Sequence, residues 1–406
     1  MSDYQPIRRA AALVALAALV VSPAFAEWTP GTSTVHYDVT FPDIEHNEAR
    51  ITATFSGLVE NEPLELRMSR TSPGRYSLHE FAKNVYDVEA VDGSGKAART
   101  ERRDPFSWRV IGHDGTVSVS YTLFADQADG TYSGFDRTHA HINMPATFMW
   151  ADGHEDAAIS VRFTPPDPDW TIATQLFPTD DPHTFSAPDL DYFLDSPTEI
   201  ARLEWFRWRL DGESGQEIRI ALHHEGSRAA AEAFAASVRK LVDAQIAVFG
   251  APPAYDGGTY TFIVDFLPHV FGDGMEHRNS TVVTGTNPLS DDGLSNLGTI
   301  SHEYFHQWNV ERIRPADLEP FDYFGPNPTD LLWFAEGFTS YYTDLTLRRA
   351  GLVSVKEYAE GLAGTIETVV HSPGRRHRSP VEMSRMATLS DRAVFWDRTN
   401  YENTFI

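Results

Sequence analysis

The chain contains no cysteine. No disulfide can staple its fold, and no thiolate can serve as nucleophile or metal ligand. Any metal must be held by histidine and carboxylate side chains. Basic residues are also scarce: 33 Lys and Arg stand against 58 Asp and Glu, a formal net charge of −25. A phosphate backbone demands a basic footprint, so nucleic acid is excluded as a partner, and the acidic excess reads as a means of staying soluble. Long apolar runs are missing beyond the first residues. There, Arg8 and Arg9 precede an apolar stretch at 10–21, too short to cross a bilayer as a helix, and Ala24-Phe25-Ala26 fits the small-x-small cleavage rule. Residues 1–26 thus read as a secretory signal. It sends the protein across the inner membrane to the periplasm or the exterior, with no membrane partner once cleaved.

What is present is ample apolar material, 41% hydrophobic and 12% aromatic in 406 residues, enough for more than one core. From residue 32 to about 219 the pattern alternates with period two, as in Val35-His36-Tyr37-Asp38-Val39 and Val117-Ser118-Val119-Ser120-Tyr121. Such half-buried strands predict an antiparallel β domain. The Pro- and Asp-rich stretch 165–197 reads as a long irregular connection. After His224 the period changes. Residues 227–249, 294–310, 330–350 and 355–370 read as helices and 260–266 as a short strand, with Gly351 a helix stop. The expected organisation is α+β and multidomain: a signal at 1–26, a β-rich domain at 27–224 and a mostly α-helical catalytic domain at 225–406. The chain ends on Thr404-Phe405-Ile406 without a turn or polar tail, which reads as a cut inside an ordered segment.

The chemistry is concentrated in His302-Glu303-Tyr304-Phe305-His306. On a helix the two imidazoles lie one turn apart on the same face and can meet one ion, while Glu303 is offset to reach the ion's water. A following helix offers Glu336 within Trp333-Phe334-Ala335-Glu336-Gly337. A carboxylate amid aromatic residues is costly to bury unless a metal or hydrogen bonds compensate it. Two histidines and a glutamate with one open position form a catalytic zinc set, with Glu303 as general base for hydrolysis of a peptide bond. Upstream, in Gly272-Asp273-Gly274-Met275-Glu276-His277, the glycines allow close approach to a ligand, and Glu276 could pair with a substrate α-amine.

The run from His302 through Trp308, Asn309, Arg312, Arg314 and Pro315, together with Trp333 to Tyr342, resembles the extended motif of the glycyl aminopeptidase family of zinc metallopeptidases. Gly274-Met275-Glu276-His277 resembles the family's Gly-x-Glu-His segment. Ser72-Pro73-Gly74-Arg75-Tyr76 and Glu80-Phe81-Ala82 resemble the signature of its N-terminal β domain. The resemblance implies a thermolysin-like catalytic domain that removes N-terminal Gly or Ala from peptides with a free N-terminus. It implies Zn2+ on His302, His306 and Glu336, Glu303 as base, and a substrate-binding segment at Gly274, Met275, Glu276 and His277. It also implies a C-terminal PDZ-like domain and an oxyanion tyrosine beyond this chain's end; Tyr401 reads as a packing aromatic.

His277 stands where related aminopeptidases carry Asn, and 29 residues separate His306 from Glu336, more than in those relatives. Arg312 and Arg314 in this insert either meet a substrate carboxylate or form buried ion pairs. A zinc endopeptidase and a non-catalytic periplasmic peptide-binding or quality-control factor are the competing readings. The β domain carries no legible chemistry. His139, His141, His154 and His224 read as surface or satisfied histidines rather than ligands.

Overall fold

Alternating strands build the first half. In the strands Thr34–Asp43, Glu48–Ser56 and Thr116–Phe124 every second residue is buried, placing Val35, Tyr37, Val39, Ile51, Phe55, Val119 and Tyr121 on one face. These strands are neighbours in a seven-stranded sheet, antiparallel apart from the parallel pair Thr34–Asp43 with Ala158–Phe163. The core against this face is aromatic: the Tyr37 ring stacks on Phe193 at 5.0 Å, and Phe148 meets both edge-on. Two further four-stranded sheets complete this half. The computed structural model describes residues 33–210 and 215–389. The signal sequence, Tyr401 and the chain's final segment lie outside the described residues.

The stretch 165–197 is more ordered than its composition indicates. It holds the strands Thr171–Thr174, Phe177–Pro178 and Thr184–Ala187 and the helix Leu190–Leu194. The Asp189 carboxylate accepts a hydrogen bond from the Tyr192 backbone N–H and starts that helix. Prolines and aspartates at the turns hide these short elements: Thr171–Thr174 pairs with Thr198–Ala201, and Thr184–Ala187 with both Ala158–Phe163 and Phe177–Pro178.

The second half centres on a five-stranded mixed sheet, in the order Glu204–Arg209, Glu217–His224, Thr259–Phe266, Ser280–Gly285, Asp273–His277. Its middle strand, Thr259–Phe266, runs parallel to both neighbours and is buried on both faces, hence the apolar residues pointing each way, Tyr260, Phe262 and Val264 on one side and Ile263 on the other. The expected boundary at residue 224 falls at the end of the second strand of this sheet. Helix Arg228–Phe249 starts with Ser227 accepting from the Ala230 N–H and stops at left-handed Gly250. Its apolar side packs on the sheet through Phe234, Val238, Leu241 and Val242. Helix Leu297–His306 is shorter than the expected 294–310, and helices Leu332–Arg349 and Val355–His371 follow. Among the described residues no helix is long and apolar enough to cross a membrane.

Candidate active site

The rotation of helix Leu297–His306 is set by what it buries. Ile300 and Tyr304 enter the sheet core, and the Tyr304 and Tyr255 hydroxyls lie 3.1 Å apart. On another side, the Gln245 amide donates to the Ser301 carbonyl at 2.7 Å. His302 and His306 are thereby turned toward helix Leu332–Arg349, their ring centroids 4.7 Å apart. Glu336 comes to meet them: its Oε2 lies 3.2 Å from His302 Nε2 and 3.6 Å from His306 Nε2. Zinc bonds of about 2.0–2.1 Å in a tetrahedron separate donor atoms by roughly 3.3 Å, so these spacings fit one ion. The other ring nitrogens are held by the protein. His306 Nδ1–H donates to the Asn309 carbonyl at 2.8 Å, and His302 Nδ1 lies 3.4 Å from Thr343 Oγ1. Both Nε2 lone pairs are thus aimed at the metal position. Asn309 spans the two helices, its amide donating to the carbonyls of Phe334 at 3.3 Å and Ala335 at 3.1 Å. Part of the long insert therefore positions Glu336.

The electrostatics favour a cation. Burial opposes ionisation of Glu336, yet the His306 and His302 imidazoles outweigh it and hold the carboxyl well below its usual range. Burial pushes the Glu303 carboxyl up to about 7, with His302 and His306 pulling it down and Glu276 and Glu336 pushing it up. Carboxylate oxygens of Glu276 and Glu303 and a ring nitrogen of His306 lie within 4.8 Å of one another.

The segment that carries Glu276 is a strand, Asp273–His277, at the edge of the mixed sheet, rather than a loop. Alternation along it decides which side chains face the helix. Gly274 and Glu276 face Glu303. A β-carbon built on Gly274 would overlap Glu303 Oε1, so only glycine allows this approach. The side chains of Met275 and His277, expected in the substrate-binding set, point to the opposite face. Met275 is fully buried with Ala173, Ala221, Ile263 and Val282, and His277 Nδ1 lies 2.9 Å from Asp195 Oδ1. The two arginines of the insert are also occupied. Arg312 donates to the carbonyls of Arg278, Gln307 and Ala254, and Arg314 pairs with Glu311 at 3.1 Å and Glu319 at 3.2 Å.

The first half contributes directly to the site. Arg75 pairs with Asp273 and donates to the Gly274 carbonyl at 3.2 Å, bracing the edge strand. Gly74, with φ of +75°, has no room for a side chain; a β-carbon there would lie 2.7 Å from Glu276 Oε2. The Tyr76 hydroxyl donates to Glu336 Oε1 at 3.4 Å. Burial and the Glu336 and Glu276 charges raise its pKa well above the usual phenol value. The sequence assigns no chemistry to these residues; their only signal is the Ser-Pro-Gly-Arg-Tyr run itself.

Two family descriptions match the chain: the Peptidase M61 N-terminal domain over residues 36–202 and the M61 glycyl aminopeptidase domain over residues 295–405. Together they cover well over half of it. The chain belongs to the M61 glycyl aminopeptidase family. Among solved structures, this M61 chain is similar to an aminopeptidase N family protein from Idiomarina loihiensis, with a TM-score of 0.78 at 24% identity over 87% of the chain. The chain spans 61% of that protein's length. It is also similar to an M1 zinc metallopeptidase from Deinococcus radiodurans, at 16% identity and a TM-score of 0.48, covering 88% of this chain and 78% of that one. None of the curated proteins matches the M61 chain.

Proposed function

We propose that this chain is the peptidase portion of a zinc aminopeptidase that removes small N-terminal residues, Gly or Ala, from peptides. The observation that carries this reading is the buried Glu276 carboxylate beside Glu303. It is 5% exposed, and its Oε1 accepts no hydrogen bond from any described residue. An anionic group left this way is costly unless a cation meets it. A peptide's α-ammonium supplies the charge and three N–H donors. The preference for Gly rests on the family's description as a glycyl aminopeptidase, and Ala is added as the next smallest side chain.

His302, His306 and Glu336 would hold the metal. Zinc bound there would lower the pKa of a water and polarise the scissile carbonyl. Glu303 takes the proton of the attacking water and passes it to the leaving amine. Glu276 holds the substrate's N-terminus so that the first peptide bond lies by Glu303. Gly274 keeps the strand close enough for both carboxylates to serve one substrate. Export to the periplasm or exterior is part of the same proposal and rests on the residue pattern at 1–26.

Hydrolysis of Gly- and Ala-peptides with free and N-acetylated termini tests the reading on protein before and after metal chelation. Cleavage of free termini only, lost on chelation and restored by zinc, is expected. Equal cleavage of blocked peptides would overturn the role of Glu276.

A further inference from the structure

A second group of metal-binding side chains lies where a four-stranded sheet of the first half meets the mixed sheet. His139, on strand His139–Ile142, and Glu199, on strand Thr198–Ala201, come from the first half; His223 and Asp265 are register partners on adjacent strands of the mixed sheet. All four are at least nine-tenths buried: 1%, 0%, 9% and 0% exposed. One donor atom from each lies within 4.8 Å of the other three. His139 Nδ1 is 3.0 Å from Glu199 Oε1, and His223 Nδ1 is 3.5 Å from Asp265 Oδ1. These bracket the roughly 3.3 Å edge of a zinc tetrahedron.

The hydrogen bonds around the group are complete on the outside; on the inside His139 Nδ1 and Glu199 Oε1 meet each other, while the Asp265 carboxylate and His223 Nδ1 have no hydrogen-bond partner among the described residues. His141 Nε2–H donates to the Asp129 carbonyl at 2.8 Å, and its Nδ1 meets Glu199 Oε2 at 2.9 Å. His139 Nε2 faces Asp136 Oδ2 at 3.4 Å, and His269 holds the same Asp136 oxygen at 2.9 Å. A carboxylate on the far nitrogen is the arrangement that orients a ligating imidazole. Toward the centre, neither oxygen of Asp265 accepts a hydrogen bond and His223 Nδ1 has none, though all are buried. The nearest positive-going groups to Asp265 stand off, His223 Nδ1 at 3.5 Å and His141 Nδ1 at 4.0 Å. A fully buried carboxylate left without hydrogen bonds carries a large desolvation cost.

We propose that His139, Glu199, His223 and Asp265 bind a second divalent transition-metal cation, zinc by its donor set, that ties the two halves of the molecule together. Two imidazoles with two carboxylates suit zinc, whereas calcium and magnesium select all-oxygen cages. Four protein donors fill a tetrahedron, which makes the site structural. It shares no residue with the peptidase site and does not depend on the proposed activity.

Metal analysis of the full chain tests this. After dialysis against zinc and removal of free metal, two zinc ions per chain are expected. The His302→Ala/His306→Ala chain should keep one, and its melting temperature should rise by several degrees when zinc is returned to the stripped protein. The His223→Ala/Asp265→Asn chain should lose one of two. A zinc-edge anomalous peak between His139 and Asp265 would locate the ion. A folded His302→Ala/His306→Ala chain that binds no zinc and shows no thermal shift overturns the proposal, as does an anomalous peak only elsewhere. Either result would mean that protons on the histidines neutralise the cluster. The His302→Ala/His306→Ala chain leaves the second site unaltered, so its zinc content decides between the two even if the His223→Ala/Asp265→Asn chain fails to fold.

Discussion

Gly274 lies against Glu303 so closely that a β-carbon at position 274 would occupy the place of the Glu303 Oε1 atom. The edge strand and the His302 helix meet at this point, and their spacing sets the distance between the two functional carboxylates. Gly274→Ala must push either the strand or the Glu303 side chain aside. Displacements of about 1 Å cost roughly 100-fold in rate. We expect kcat/KM to fall about 10- to 100-fold while bound zinc stays unchanged, because the nearest atoms a β-carbon at 274 would meet belong to Glu303 and Thr299 and to none of the proposed ligands. Steady-state kinetics with metal analysis check it; an unchanged kcat/KM would show that the contact is irrelevant to catalysis.

Glu303→Gln keeps the shape of the side chain and removes its capacity to accept a proton. Activity should drop by about 10²- to 10⁴-fold, again with zinc retained. In the parent, Glu303 must be ionised to act, and burial pushes its carboxyl up to about 7. Activity should therefore decline as pH falls through that pKa. A bound cation favours the ionised form, so the acid limb of kcat/KM belongs below 7 in the zinc-loaded protein. A profile flat down to pH 4 would remove Glu303 from the role.

Tyr76 belongs to the first half of the chain but donates to the metal-facing Glu336. Partners of a ligand typically contribute about 10- to 100-fold in metal affinity or activity. Tyr76→Phe should weaken zinc retention by an amount in that range, measured by competition with a chelator. Full retention would confine the tyrosine to packing.

Glu311 is buried beside Arg314, and its carboxyl is pushed from 4.5 up to about 7; burial is the main cause and Asp195 adds to it, against the pull of Arg314. An acid whose pKa is raised on folding binds more protons in the native state. Stability is then greatest below the unfolded value and falls as pH rises through the folded one. Glu311→Gln removes this dependence. The variant should gain melting temperature relative to the parent at pH 8 compared with pH 5, by a few degrees. Thermal melts at the two pH values decide; an equal difference at both would refute the assignment.

The features legible in the sequence share a local cause. Alternation in Val35 to Val39 and in Val117 to Tyr121 states which face is buried, and both segments are strands. The four-residue spacing of His302 and His306 states that they share a helix face. Glu336 is legible as a carboxylate on a following helix. The strand Asp273–His277 is harder to read, because glycine and charged residues disguise an edge strand. Its alternation then decides that Glu276 faces Glu303 while Met275 and His277 do not.

By itself the sequence determined the strongly periodic strands and helices and the chemical types at the metal position, because periodicity and motif spacing act within one or two helical turns. Only the tertiary structure decided that Asn309 spans two helices, that Gly74, Arg75 and Tyr76 reach across from the first half, and that His139 and Glu199 meet His223 and Asp265 in a buried cluster. Such contacts join residues tens to hundreds of positions apart. They follow from how sheets and helices pack, which no local pattern records.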